Sequence, residues 1–219
     1  MNLRISELFF SLQGEGPSTG TPAHFLRLQG CDVGCRWCDT RYTWNPEGGR
    51  AAPYDEARAE LQALGEAPLL VVTGGEPLSH PGISGLLERA LEDWGAVEVE
   101  TSGIHPPPLR HSRLRWNHSP KLPSVTERWA GTWRHTAAFA ADPLTTFKLV
   151  VGDEPDLADA LRLIREHELP RNQVMLMPEG LTDDALRARA VTLAETCKLE
   201  GLRMSARLHV WLWGARRGV

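Results

Sequence analysis

Residues 31–40 read Cys-Asp-Val-Gly-Cys-Arg-Trp-Cys-Asp-Thr, which places three of the chain's four cysteines inside one ten-residue stretch. Cys31, Cys35 and Cys38 have no second cysteine group to pair with, and three clustered thiols leave one over in any disulfide scheme. A zinc site usually takes four ligands, as two C-x2-C pairs or with histidines at short spacing. No histidine near this loop has that spacing. Three thiolates on one loop can instead hold three corners of a 4Fe-4S cube, leaving the fourth iron open to a small molecule. Cys197, the fourth cysteine, lies in a helical-looking run from Asp183 to Glu200, where a lone cysteine is most often a small buried hydrophobe.

At 219 residues the chain is long enough for one domain with a sizeable core and too short for two comfortable ones. A single domain over residues 1–219 is expected. A formal charge of -4 argues against a general nucleic-acid binder, and the pairs Arg113/Arg115 and Arg216/Arg217 are too few to change that. No apolar run approaches the length of a membrane span, and the opening MNLRISELFF lacks a signal-peptide pattern. A cytoplasmic location is expected, and free cysteines fit a reducing compartment.

Short, nearly continuous apolar runs at Ala23 to Gln29, Leu69 to Thr73, Val97 to Thr101, Arg113 to Asn117, Thr146 to Val151 and Gln173 to Met177 read as strands. Such strands are typically covered on both faces, as in parallel sheets. Helical spacing marks Tyr54 to Leu64, Ile83 to Trp94, Asp156 to His167 and Asp183 to Glu200, the last with Thr182 as its cap. The repeated β-then-α order predicts an α/β fold, a mostly parallel sheet that right-handed crossovers curl toward a partial (β/α) barrel. Pro106 to Asp142, with three consecutive prolines and little periodicity, reads as an irregular excursion where a barrel helix belongs, so fewer helices than strands are expected.

In parallel α/β folds ligands lie at the carboxyl ends of strands. Thr73-Gly74-Gly75-Glu76-Pro77 follows one predicted strand; the glycines let backbone approach a ligand, and the glutamate can accept from an ammonium. Glu100, Thr101, Ser102 and Gly103 end the next, with groups suited to ribose hydroxyls, and Ser119-Pro120-Lys121 follows a third. Each of these alone also reads as an ordinary turn or polar strand end. The C-x3-C-x2-C spacing with Trp37 before its last cysteine, joined to TGGEP, resembles the radical S-adenosylmethionine (SAM) superfamily. That resemblance implies that Cys31, Cys35 and Cys38 hold a 4Fe-4S cluster, that SAM chelates the open iron, and that an electron splits SAM to a 5'-deoxyadenosyl radical. It assigns SAM contacts to Trp37, Asp39, Gly75, Glu76, Ser102, Ser119, Pro120 and Lys121.

A narrower resemblance covers nearly the whole chain. Phe10-Ser11-Leu12-Gln13-Gly14-Glu15-Gly16, then Gly20, Pro22, Phe25 and Arg27, the cysteine loop, TGGEP, ETSG, SPK, Arg207-Leu208-His209 and the final Gly-Val are together similar to the 7-carboxy-7-deazaguanine synthase family. It implies a lyase of queuosine and 7-deazapurine biosynthesis that contracts 6-carboxy-5,6,7,8-tetrahydropterin to 7-carboxy-7-deazaguanine with loss of ammonia, using SAM, the cluster and Mg2+. Leu12, Gln13, Gly14, Glu15, Arg27 and Thr73 then bind substrate: Arg27 as a planar bidentate cation for its carboxylate, Gln13, Glu15 and the backbone of Leu12 to Gly14 for the pterin edge. On charge grounds Asp39 is the obvious Mg2+ ligand; the family pattern assigns Thr40 and leaves Asp39 near SAM. It also implies an electron donor such as a flavodoxin or ferredoxin, and a homodimer. No side chain needs to act as a nucleophile.

Two stretches depart from the family pattern. Arg41 to Ala67 is short, with an Asn45-Pro46-Glu47-Gly48-Gly49 turn and little room for a long helical cap. In HVWLWG, Trp211 and Trp213 share a face if the run is a strand, a pattern more common in cores and subunit interfaces than at cofactors. Two other functions stay open from sequence: a glycyl-radical activase, which shares the cysteine and TGGEP elements but has a protein substrate and no need of Arg27 as a carboxylate clamp, and a non-catalytic zinc-binding module.

Overall fold

Alternation along the strands gives this molecule two chemically different sides, one packed against helices and one lined with charge. The computed structural model describes residues 1–214 and 216–219. Its elements run β1 (Asn2–Leu12), β2 (Pro22–Leu28), β3 (Arg50–Pro53), α1 (Tyr54–Ala63), β4 (Leu69–Gly74), α2 (Ile83–Asp93), β5 (Ala96–Thr101) and β6 (Leu114–His118). There follow α3 (Trp129–Trp133), α4 (Thr136–Ala140), β7 (Thr145–Val151), α5 (Glu154–Glu166), β8 (Val174–Pro178), α6 (Asp183–Glu200), β9 (Arg203–Met204) and α7 (Leu208–Trp213). One sheet holds the strands in the order β3-β1-β2-β4-β5-β6-β7-β8-β9. β1 is antiparallel to β2 and β3, and every pairing from β2 through β9 is parallel.

The six expected strands and four long helices are present within a residue or two at each end. α5 starts at Glu154 rather than Asp156 because the Asp153 carboxylate accepts from Asp156 N at 2.9 Å and Pro155 sits in the first turn. α6 begins after Thr182, whose hydroxyl accepts from Ala185 N at 3.3 Å, and ends at Gly201 with φ 65°. β5 passes to β6 without a helix, through the prolines at 106–108, as the excursion predicted. The aromatic HVWLWG run corrects expectation: Leu208–Trp213 is a helical turn, with Val210 buried and Trp211 60% exposed, so the tryptophans do not build a core.

Leu70, Val72, Val97, Val99, Leu114, Trp116, Phe147 and Leu149 face the helices and are fully buried with Leu86, Leu87, Ala160 and Leu163. Each of the valines, leucines and the phenylalanine contributes roughly 1.5–3 kcal/mol by leaving water. Their neighbours Glu98, Glu100, Asn117 and Lys148 therefore point to the other face, because side chains alternate along a strand. β1 serves both faces. Leu3 and Ile5 join the helix-side core, and a bulge between Ile5 and Glu7 shifts the register so that Glu7 and Phe9 lie opposite Arg27 and Phe25. A one-residue slip flips every following side chain to the other face, which is how Glu7 reaches the charged side.

Candidate active site

The charged face encloses a cavity of about 400 Å³. Its wall takes the cysteine loop after β2, Thr73 from β4 and Gly75 just after it, Ser102 after β5, Ser119 to Lys121 after β6, Lys148 from β7, and Arg207 and His209 from the segment after β9. Of the residues expected from the sequence, Leu12, Gln13, Gly14, Glu15, Arg27, Trp37, Asp39 and Thr40 also line it. Glu76 alone lies behind the wall.

Backbone stitching holds the cysteine loop. Gly75 N donates to Leu28 O at 3.2 Å and Glu76 N to Gly30 O at 2.9 Å. A Cβ on Gly75 would stand 2.1 Å from Gly30 O and 2.7 Å from Cys31 Cβ, so only glycine permits this approach. Donors point at the thiols: Trp44 Nε1 at Cys38 Sγ (3.4 Å), and the amides of Val33 and Gly34 at Cys31. Burial pushes the Cys31 and Cys35 thiols up, with Lys121 partly opposing this at Cys35. Among the described residues no three His, Cys, Asp or Glu side chains converge to hold a single metal ion. A mononuclear zinc site needs such convergence, whereas a four-iron cube takes each thiolate on a separate iron, so the donor set fits a cluster. Cys197 lies apart on α6, donating to Arg203 O at 3.3 Å.

Glu76 is saturated by the fold. Its carboxylate accepts from Thr101 Oγ1 (2.6 Å), Leu78 N (3.0 Å), Ser102 N (2.8 Å) and Ser102 Oγ (2.5 Å), pinning TGGEP to the end of β5. Gln13 is committed likewise. Its amide donates to Glu98 (3.0 Å) and Glu100 (3.4 Å), its side-chain oxygen accepts from Glu15 N (3.1 Å), and its backbone closes the turn with Gly20 and Thr21. Below it Glu98 is fully buried among Gln13, Ser18 and Asn117, and burial pushes its carboxyl up.

Arg27 keeps its outer edge. Nε donates to Glu7 Oε2 at 2.7 Å, and the same oxygen accepts from Tyr42 OH at 2.8 Å, while the two Nη groups make no hydrogen bond to the described residues. Glu15 sits between two buried cations: Lys148 Nζ on one oxygen and Arg207 Nε at 2.9 Å on the other. Burial alone would raise the Glu15 carboxyl, but Lys148 and Arg207 hold it well below the usual carboxylate range. Burial would likewise lower Lys148, yet Glu15 and Glu100 hold its ammonium above its ordinary value. Arg207 Nη2 also donates to Asp39 Oδ2 at 2.8 Å, and Thr73 Oγ1 to Glu100 Oε2 at 2.9 Å. His209 packs on Gly14, where a Cβ would meet Nδ1 at 2.1 Å.

Sequence reasoning missed Lys148, Glu7 and Tyr42 as cavity residues. The signal for Lys148 was present: Val97-Glu98-Val99-Glu100 and Phe147-Lys148-Leu149 alternate with period two, which marks a charged face rather than strands covered by apolar layers on both sides. No local pattern marks Glu7, since its face depends on the bulge.

The radical SAM superfamily model matches residues 26–121, the span of the cysteine loop, TGGEP, ETSG and SPK. Fold and cavity together define a radical SAM protein, a class in which a 4Fe-4S cluster and SAM are bound. The 7-carboxy-7-deazaguanine synthase of Pyrobaculum aerophilum is 37% identical over 99% of this chain and 97% of its own length. That of Escherichia coli K12 is 34% identical over 97% of this chain and 99% of its own. The chain belongs to the 7-carboxy-7-deazaguanine synthase family. The crystal structure of QueE from Escherichia coli covers 95% of each chain with TM-score 0.71 at 31% identity. SuiB of Streptococcus suis, at 13% identity and TM-score 0.59, shares the fold alone over 80% of this chain.

Proposed function

We propose that this chain, a single radical SAM domain over residues 1–219 with the 12–16 turn as its substrate loop, contracts 6-carboxy-5,6,7,8-tetrahydropterin to 7-carboxy-7-deazaguanine with loss of ammonia. The observation that carries the reading is one cavity in which the thiol loop faces an arginine edge held ready for a carboxylate. Cluster and SAM, when bound, supply the hydrogen-abstracting radical. The chain's own residues orient and enclose the substrate. Glu7 and Tyr42 fix Arg27 so that its Nη pair meets a carboxylate in bidentate fashion. The Glu15, Lys148 and Glu100 charges line the same cavity and would meet the polar edge of the ring system.

Mg2+ belongs to this proposal. Asp39 is already paired with Arg207, whereas the Thr40 hydroxyl lies at the cavity wall 3.5 Å from Cys38 Sγ. A neutral hydroxyl suits an ion that keeps several waters and takes oxygens from the substrate. The reductant, of flavodoxin or ferredoxin type, the homodimer and the cytoplasmic location are part of the same reading; among the described residues no helix is long and apolar enough to cross a membrane. An activase would act on a protein chain, and a cavity of about 400 Å³ lined by an arginine edge fits a small carboxylate better. Anaerobic incubation with SAM, dithionite and the tetrahydropterin tests the reading. Appearance of the deazapurine chromophore is expected, and SAM cleavage without it would refute the substrate.

A further inference from the structure

Register and alternation arrange the interior face of the sheet in layers. Arg27, Thr73 and Glu100 stand in the cavity; two residues down each strand, paired side by side, are Phe25, Val71 and Glu98, with Arg115 next in the row. Phe25 stacks on Phe9 with ring centroids 4.6 Å apart and Val71 is fully buried, so this lower layer is apolar until Glu98 enters it. Glu98 is as buried as Val71, yet among the described residues its carboxylate meets only neutral donors. Arg115 gives Nη1 to Ser18 Oγ at 3.1 Å instead. Desolvating a carboxylate against neutral donors is unfavourable compared with continuing the apolar layer, so Glu98 calls for a reason other than stability.

Its partners supply one. Oε1 accepts from the Gln13 amide at 3.0 Å and from Asn117 Nδ2, and Oε2 accepts from Ser18 Oγ at 2.5 Å. Gln13 and Ser18 are the two ends of the turn that carries Gly14, Glu15 and Gly16, so one carboxylate ties both ends to the sheet across 85 and 80 residues of chain. A carboxylate accepts, so Gln13 presents its NH2 group to it and keeps its oxygen for Glu15 N at 3.1 Å. Glu98 therefore sets the flip of the Gln13 side chain as well as the place of the turn. Gly14 and Glu15 line the cavity, and the Gly14 N–H has no acceptor among the described residues.

We propose that Glu98 is a positioning residue for the substrate. From one layer beneath the cavity it holds the 13–18 turn in the shape that offers the Gly14 N–H and the Glu15 carboxylate to a planar heterocycle with adjacent acceptor and donor atoms, and it touches neither substrate nor cofactor itself. The proposal rests on the pterin reading, because it takes that turn as the substrate loop.

The test compares Glu98→Ala, which removes the acceptor, with Glu98→Gln, which keeps an oxygen for Gln13 and Asn117 and can donate its NH2 to Ser18 Oγ. If the turn without its anchor holds the binding shape about one-tenth of the time, the apparent Kd for 6-carboxy-5,6,7,8-tetrahydropterin rises about tenfold. Calorimetry on the reconstituted enzyme should show that rise in Glu98→Ala and a return to within about threefold of wild type in Glu98→Gln, with SAM affinity within about twofold in both. Amide exchange should report the same cause: the Glu15 and Gly20 N–H groups, bonded to Gln13, should lose protection in Glu98→Ala and keep it in Glu98→Gln, while β4 and β7 stay protected in both. Parallel weakening of SAM and pterin, or loss of protection through the sheet, would overturn the inference by making Glu98 a residue of the fold alone. Unchanged pterin binding in Glu98→Ala would overturn it as well. If Glu98→Ala does not fold, Ser18→Ala frees one end of the turn and decides: pterin binding alone should weaken, and unchanged pterin binding overturns the inference. A wild type that binds SAM but no pterin would refute the functional reading and this inference with it, whereas pterin binding indifferent to these substitutions refutes this inference alone.

Discussion

Replacing Glu15 by glutamine removes the anion between two buried cations and should destabilise the apo enzyme strongly. The side chains of Lys148, Arg207 and Glu15 are 5%, 9% and 14% exposed, so solvent offers little screening. Breaking a buried pair from one side costs about 3–5 kcal/mol, because the remaining charge stays buried without its partner. Arg207 keeps Asp39 at 2.8 Å and Lys148 keeps Glu100 only at 3.8 Å, so the loss falls mainly on Lys148 and about 3 kcal/mol is expected. For a domain of this size that is roughly 6–12 °C in Tm. A double-mutant cycle with Lys148→Met isolates the pair: the double variant should recover much of the loss, with a coupling of about 2 kcal/mol. The pH dependence has a definite sign. The folded Glu15 carboxyl is held far below the ordinary glutamate range, so its contribution is fully present above that range and is lost as pH falls toward the folded pKa. Urea melts of wild type and Glu15→Gln should thus differ by a constant amount near neutrality and converge in acid. A single-variant loss under about 1 kcal/mol, or a coupling near zero, would refute the ion-network account.

Alanine at Cys31, Cys35 or Cys38 should abolish the charge-transfer absorbance of the reconstituted cluster, while Cys197→Ala, remote on α6, should retain it; visible spectra decide. Arg27→Ala should weaken pterin binding by on the order of 2–5 kcal/mol and leave SAM binding nearly intact, and equal loss of both ligands in calorimetry would make Arg27 structural. Thr40→Ala should raise the Mg2+ requirement for product formation without affecting cluster content, and a response confined to Asp39→Asn would move the ligand to Asp39.

Much of this site was legible because its chemistry sits on local motifs. The cysteine triad, TGGEP and the Ser119 to Lys121 turn each follow a strand, and parallel topology forces strand ends together. What stayed hidden depends on geometry that no local pattern carries. Glu76 looks like a ligand acceptor in sequence, yet Thr101 and Ser102, brought to it by the β4 and β5 pairing, and Leu78 N in its own turn take up its carboxylate. The resemblance assigns Gln13 to the pterin edge, but the turn folds inward, its amide is taken by Glu98, and the residue is 2% exposed. The HVWLWG run suits either period, and helix formation at Leu208 follows from the anchoring of Leu208 N on Gly14 O at 2.9 Å.

That inward-folded turn also sets an order of events at birth of the protein. Glu15 and Arg207 are 192 residues apart, and Gly16 N reaches Ser205 Oγ across 189. At 5–20 residues per second, roughly 10–40 s of synthesis separate the two halves of this contact. Throughout that interval the nascent chain carries its three thiols and the Glu15 carboxylate without the wall that Arg207 and His209 later supply. Until Arg207 and His209 emerge, the pocket around the thiols lacks that side of its wall.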